Sequence, residues 1–149
     1  MGHLPAPRLR RIAKVIAIDL THRIALLPQE TDHPKWALPQ QTALLDETYT
    51  DTVSRLCEDL FPTYPTRNGT VVGRRWATAP EGPTLRVETH FHIVRVDAEP
   101  ADDIPSQRIL WAPRTIIGLW LQASETETAK ILIDGYLDGW LPDGPITLD

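Results

Sequence analysis

The chain has 149 residues, 42% hydrophobic and 23% charged, with a formal net charge of −5 at pH 7. That length suits one domain able to bury roughly 70% of its unfolded surface, and the composition is that of a globular protein in water. The acidic balance argues against a broad nucleic-acid surface, the single cysteine, Cys57, rules out an intramolecular disulfide, and no stretch approaches the roughly 20 apolar residues of a membrane span.

Residues 1–9 read as an N-terminal arm, with Arg8, Arg10 and Arg11 as a basic cluster closer to a frayed terminus than to a binding arm, and 10–149 as a single domain. Ile12 to Asp19 is a β-branched run suited to a strand buried on both faces, and Arg23 to Leu27 follows a polar turn at Thr21-His22, which predicts a hairpin. The apolar run Ile12 to Leu20 is broken by Lys14 and Asp19, so it is no signal peptide, and a cytoplasmic protein is expected. Glu30 to Lys35 is a polar loop leading to a short strand at Trp36.

A helix is predicted over Tyr49 to Phe61. Val53, Leu56, Cys57, Leu60 and Phe61 recur at i, i+3, i+4, i+7 and i+8, the stripe of a helix docking on a core. Thr48 or Thr50 can cap its start, and Pro62 disfavours continuation past Phe61. On that stripe Cys57 is a buried, inert thiol.

Tyr64 to Asn68 reads as loop and Thr70 to Ala77 as a strand. A turn at Ala79-Pro80-Glu81-Gly82-Pro83 leads to the clearest strand, Thr84 to Asp97, antiparallel to the previous one. Alternation along it places Val87, Thr89, Phe91 and Ile93 on one face and Arg86, Glu88, His90 and His92 on the other. After an acidic loop, Ala98 to Pro105, come a strand Arg108 to Trp111 ending at Pro113 and a short helix at Ile116 to Leu121. Ser124 and Glu127 form a capping box for a closing helix whose inner face is Ala129, Leu132, Ile133, Tyr136, Leu137 and Trp140, with Pro142 as its stop. The order of elements gives an α+β chain, an α/β/α sandwich around a mixed central sheet.

The stretch 34–62, PKWALPQQTALLDETYTDTVSRLCEDLFP, resembles the box of the Nudix hydrolase superfamily. That motif reads G-x5-E-x7-R-E-U-x-E-E-x-G-U, U being aliphatic, and follows a strand ending in W-x-L-P-G-G. Here Trp36-Ala-Leu38-Pro39 is followed by Gln40 and Gln41 in place of the two glycines. Laid without gaps from Gln41, Glu47 falls on the first glutamate and Arg55 on the arginine, whereas Leu56, Asp59 and Leu60 take the three later glutamate slots and Pro62 the glycine. The Arg108 to Pro113 segment also resembles a late strand of this family, so the likeness spans roughly Arg10 to Leu141.

The resemblance implies a hydrolase in which glutamates at i, i+3 and i+4 of the helix gather Mg²⁺ or Mn²⁺. With one carboxylate of three retained, it implies at most a weak single site built from Asp59, Glu58 and Glu47, since Mg²⁺ can manage with one or two protein carboxylates plus substrate phosphates. Glu58 is rotated about 100° from Asp59 around the helix, and a one-residue slip that recruits it breaks the Glu47 to Arg55 spacing. The plainer reading of Asp51, Arg55 and Asp59, at i, i+4 and i+8, is a solvated ion-pair ladder.

Three functions follow as expectations. The first is a Nudix-fold protein that has lost ordinary nucleoside-diphosphate hydrolysis and keeps a pocket for a small-molecule, nucleotide-like ligand. The others are an inefficient single-metal hydrolase, and an interaction domain or homodimer using the five tryptophans as an aromatic interface. For the first, the resemblance makes Arg86, Gln40, Gln41, Trp36 and Arg55 ligand contacts. His90, His92 and Glu88 are its catalytic candidates, because paired histidines beside a carboxylate can exchange protons near neutral pH or hold a transition metal. The plainer reading of that strand face is the wet side of a half-exposed sheet.

Overall fold

The computed structural model describes residues 8–29, 36–78, 85–97, 109–121, 123–140 and 146–148. The expected loops Glu30 to Lys35 and Ala98 to Pro105, the turn Ala79 to Pro83, Arg108, Pro142 and the side chain of Ser124 fall outside the described residues.

The β-branched run and the residues before it form one long strand, β1 (Arg8–Ile18), so Arg8 to Arg11 belong to the sheet and not to a frayed end. It turns into β2 (Arg23–Pro28), with Ile18 opposite Ile24 as the hairpin predicts. β3 (Trp36–Ala37) pairs with β2, and β4 (Gln40–Thr42), unanticipated, pairs antiparallel with β1. Helix α1 (Tyr49–Leu60) follows the predicted bounds to within one residue and begins at Thr48, whose hydroxyl accepts the Asp51 N–H at 3.1 Å.

β5 (Thr66–Thr78) starts inside the stretch read as loop and runs antiparallel to β6 (Leu85–Val96), with register irregularities between Asn68 and Gly73. β6 in turn lies parallel to β1 along eleven paired positions, and this pairing is the spine of the sheet. β7 (Leu110–Pro113) adds to β2, a one-turn 3-10 helix spans Ile117–Leu119, and α2 (Ala123–Leu137) closes the chain before a short strand, β8 (Ile146–Leu148), parallel to β5. The sheet order is β3-β2-β1-β6-β5-β8. Gly73 permits the β8 contact: a Cβ there would meet Leu148 Cδ1 at 3.0 Å and Leu132 Cδ atoms at 3.3 Å.

Alternation along β1 and β6 divides the core in two. Ile16, Ile18, Phe91 and Ile93 pack with Ala129, Leu132 and Ile133 of α2, while Ala13, Val15, Ala17, Val94 and Val96 pack with Val53, Leu56 and Cys57 of α1 and with Phe61 at its C-cap. This is the α/β/α sandwich with a mixed sheet. The α2 stripe is shorter than predicted, since Tyr136 and Trp140 are exposed. Its stop is local: Gly139 takes φ +77 and the Trp140 N–H donates to Gly135 O at 2.9 Å, a glycine C-cap that makes a downstream proline unnecessary. No helix among the described residues is long and apolar enough to cross a membrane.

One buried carboxylate organises the β1–β2 turn. Asp19 Oδ1 accepts the backbone N–H of Thr21 at 2.9 Å and of Arg23 at 2.8 Å, and Oδ2 accepts Arg23 Nε–H at 2.9 Å, while His22 adopts φ 64. Asp19→Ala strands these donors and is expected to cost about 2–4 kcal/mol of stability, read as a lower urea midpoint at unchanged slope. A change under about 0.5 kcal/mol would mean that the turn does not need its carboxylate.

Candidate functional site

The loop between β4 and α1 is tied down from two sides. Glu47 Oε1 accepts the Leu44 N–H at 3.0 Å, the Thr52 hydroxyl at 2.8 Å and Arg55 Nη2 at 2.8 Å, and Oε2 accepts Arg55 Nε at 3.0 Å. Arg55, one helical turn beyond Thr52, also donates to Thr42 O at 3.3 Å, so its fork reaches back to the loop instead of along the helix. The Arg55 guanidinium, then the Leu44 amide and the Thr52 hydroxyl, hold the Glu47 carboxyl down to about 2. From the other side Arg11 of β1 donates to the carbonyls of Glu47 at 2.8 Å, Leu44 at 2.7 Å and Leu45 at 3.2 Å.

Glu58 and Asp59 stand on the exposed side of α1, and the Asp59 charge reinforces protonated Arg55. Among the described residues, no three His, Cys, Asp or Glu side chains converge as a metal-holding group. Cys57 lies buried on the α1 stripe, and burial pushes its thiol up to about 11.

The polar face of β6 lies under the start of α1. Tyr49, the first helical residue, donates to Glu88 Oε1 at 2.6 Å and stacks on His90 with ring centroids 3.6 Å apart. His90 Nε2 lies 3.3 Å from the same Glu88 oxygen but without hydrogen-bond alignment, so both of its buried nitrogens lack a partner. His92, one step further in, is 3% exposed, and its Nε2 is equally orphaned. Alternation sorted these residues onto one face correctly, but the face around His92 is not wet: it continues into Val94 and Val96 of the α1 core.

Burial lowers both imidazoles. It outweighs the Glu88 charge at His90 and, joined by His90, takes His92 to about 4. Burial and the bond to Glu88 push the Tyr49 phenol upward, keeping it a donor.

The other sequence candidates divide between the two faces. Arg86 is exposed and lies 4.8 Å over the Trp76 ring. Gln41 pairs with Ala13 on the α1 face, and Gln40 with Lys14 on the α2 face. Trp36 packs on the α2-side core, and its backbone N–H donates to Trp120 O at 3.2 Å. On that face sequence reading missed a second polar set. Lys14 Nζ lies 3.7 Å from Glu125 Oε2, Glu125 Oε1 accepts the Leu38 N–H at 3.1 Å, and Lys14 and Arg75 flank the Phe91 ring at 5.9 and 5.7 Å. Arg75 also bonds the Thr128 hydroxyl, while its Nε has no partner. The signal for this set was a lone lysine inside a buried strand, which demands a counter-charge. Tyr49 and Arg11 were missed too, and nothing in their local sequence marks them.

No protein-family model and no curated protein matches the chain. Solved structures do. A MutT protein from Methanosarcina mazei superposes with a TM-score of 0.61 at 15% identity, covering 91% of this chain and 99% of that one. A NUDIX hydrolase from Nitrosomonas europaea gives 0.65 at 10% identity over 98% of this chain and 81% of that one. An ADP-ribose pyrophosphatase from Streptococcus suis gives 0.60 at 14% identity over 94% and 98%. What is shared at such identities is the fold, and this chain has the Nudix hydrolase fold.

The buried imidazoles generate a pH prediction. Their folded values lie below the ordinary histidine value near 6.5, so the unfolded chain binds more protons as pH falls, and stability is lost between about 6.5 and 4. His92 contributes on the order of 3 kcal/mol of that loss. Thermal melts should fall through this window, and His92→Leu should flatten the fall. Loss confined to below pH 4.5, the window in which the contribution of Glu47 is lost as pH falls towards about 2, would show instead that the histidines are proton-bound in the fold.

Proposed function

We propose that this Nudix-fold chain binds a small, anionic, nucleotide-like ligand and does not cleave diphosphate linkages through carboxylate-held metal ions. The observation that carries the reading is the engagement of Glu47, whose two oxygens already serve four donors. The fold implies Mg²⁺ or Mn²⁺, and the donor set does not fit them. A cation at Glu47 would find only the second lone pair of Oε2, beside the Arg55 guanidinium, whose positive charge would oppose it. Glu58 and Asp59 point from an exposed helix side with no third ligand among the described residues.

What supports a ligand seat is the cluster under the start of α1. An orphaned buried nitrogen costs about 1–3 kcal/mol, which a ligand hydrogen bond to His90 recovers. His90, depressed and therefore neutral at pH 7, offers one donor and one acceptor. Arg11 and Arg74, both felt by His90, supply the positive field for a phosphate or carboxylate, and Glu88 with the Tyr49 hydroxyl can orient a ligand N–H or O–H. The reading needs no transferred group: the cluster binds, and any proton exchange would run through His90 and Glu88.

The test uses nucleoside-diphosphate derivatives with Mg²⁺, Mn²⁺ or EDTA. Calorimetry should give no heat for the metals alone and saturable ligand binding in EDTA, weakened about tenfold by His90→Ala through the lost hydrogen bond. Metal-dependent turnover abolished by Asp59→Ala would reverse the reading in favour of a single-metal hydrolase. Failure of every phosphate-bearing compound to bind would remove the ligand claim.

A further inference from the structure

Two groups compete for one oxygen beside His90. Glu88 Oε1 accepts the Tyr49 phenol at 2.6 Å and lies 3.3 Å from His90 Nε2, close enough to bond it but turned towards the phenol. The phenol has a second acceptor, the Glu88 backbone oxygen at 3.3 Å, so it stays satisfied if the carboxylate turns away. His90 has no such alternative, since both of its nitrogens are buried without a partner. The exchange needs only side chains to move: the Thr48 cap holds the backbone at the start of α1, and Arg11 and Glu47 hold the loop before it.

The surroundings decide which arrangement is favoured. Around His90 stand Glu88 and His92 from β6, Arg74 from β5, Arg11 from β1, the Tyr49 ring from α1 at 3.6 Å and, from β4, the uncharged Gln41 in the same row. Burial, with Arg74 and Arg11 behind it, opposes a proton on the imidazole more than the Glu88 charge favours one. A neutral imidazole competes poorly for a carboxylate that already holds a short bond to a phenol. An anion drawn to Arg11 and Arg74 cancels their opposition and tips the balance. We infer that Tyr49 is a positioning residue that keeps Glu88 off His90, and that an anionic ligand switches the carboxylate to the imidazole, so that binding and formation of a Glu88–His90 ion pair are one event. This deepens the ligand seat proposed above and rests on it: as the anion enters, His90 takes up a proton from solvent. A group whose proton affinity rises on binding makes binding tighter as pH falls, so affinity should increase from pH 8 towards about 6.

The experiment is NMR titration of the histidine rings in the full chain, first with no ligand. In Tyr49→Phe, which keeps the ring and removes the competing hydroxyl, the His90 midpoint should rise by about one pH unit, a tenfold gain in proton affinity, and a protected Nε2–H signal should appear. Adding Glu88→Gln to that variant should take both away, and Glu88→Gln alone should move His90 by clearly less, because the carboxylate is then engaged with the phenol. His92 should not rise with His90, whereas a general loosening of the helix start would lift both. An unmoved His90 in Tyr49→Phe, a rise that survives Glu88→Gln, or one shared by His92 would each overturn the role of Tyr49. Inorganic phosphate added to the wild type should then raise the same midpoint and bring up the same Nε2–H signal. Phosphate that shifts the Arg11 and Arg74 amides and leaves His90 unmoved would overturn the coupling. Phosphate that shifts nothing would remove the anion seat and the coupling with it, while the comparison without ligand still decides what Tyr49 does.

Discussion

Much of this molecule follows from the bidentate pair between Glu47 and Arg55. It joins the loop after β4 to the second turn of α1, and through Thr42 O it reaches the strand that carries the loop. Arg11 closes the same loop from β1. Sheet, loop and helix are thereby fixed to one another at one place, and Tyr49 is delivered onto His90 and Glu88. The same pair occupies the carboxylate, whose Oε1 accepts from an amide, a hydroxyl and the guanidinium while Oε2 accepts from the guanidinium alone.

That constraint separates scaffold from activity. A fold shared with MutT and NUDIX hydrolases at 10–15% identity says where elements lie, not which reaction they support. Here the helix that offers the family's carboxylates has Leu56 and Leu60 at two of the slots, and Leu56 is spent on packing against β1 and β6. A polar cluster lies inward and upstream of those slots, a buried pair of imidazoles and a phenol at the helix start. It is a setting for hydrogen bonding in low dielectric, where neutral groups are cheaper than ions.

Local chemistry was legible in the sequence, and long-range placement was not. The Thr48 cap and the Val53–Phe61 stripe located α1 to within a residue because both signals sit inside the helix they define. The β-branched run of β1 correctly announced a strand covered on both sides. Alternation along β6 sorted its side chains, yet could not say that α1 would land over His92, since that depends on the loop clamp. Strands β4 and β8 span three residues each, too short to leave a hydrophobic period to read. Lys14 carried a usable signal, a charge inside a buried strand, but its partner Glu125 lies far along the chain and could be found only in the fold.

The most direct test of the central claim is paramagnetic broadening by Mn²⁺, read on every backbone amide by NMR with and without a nucleoside diphosphate. The account predicts no broadening that singles out the residues around Glu47, Glu58 and Asp59, and continued slow exchange of the Leu44 amide held by Glu47. Selective loss of those signals at low Mn²⁺, with the Leu44 amide released, would show that the carboxylate leaves Arg55 for the ion and would contradict it.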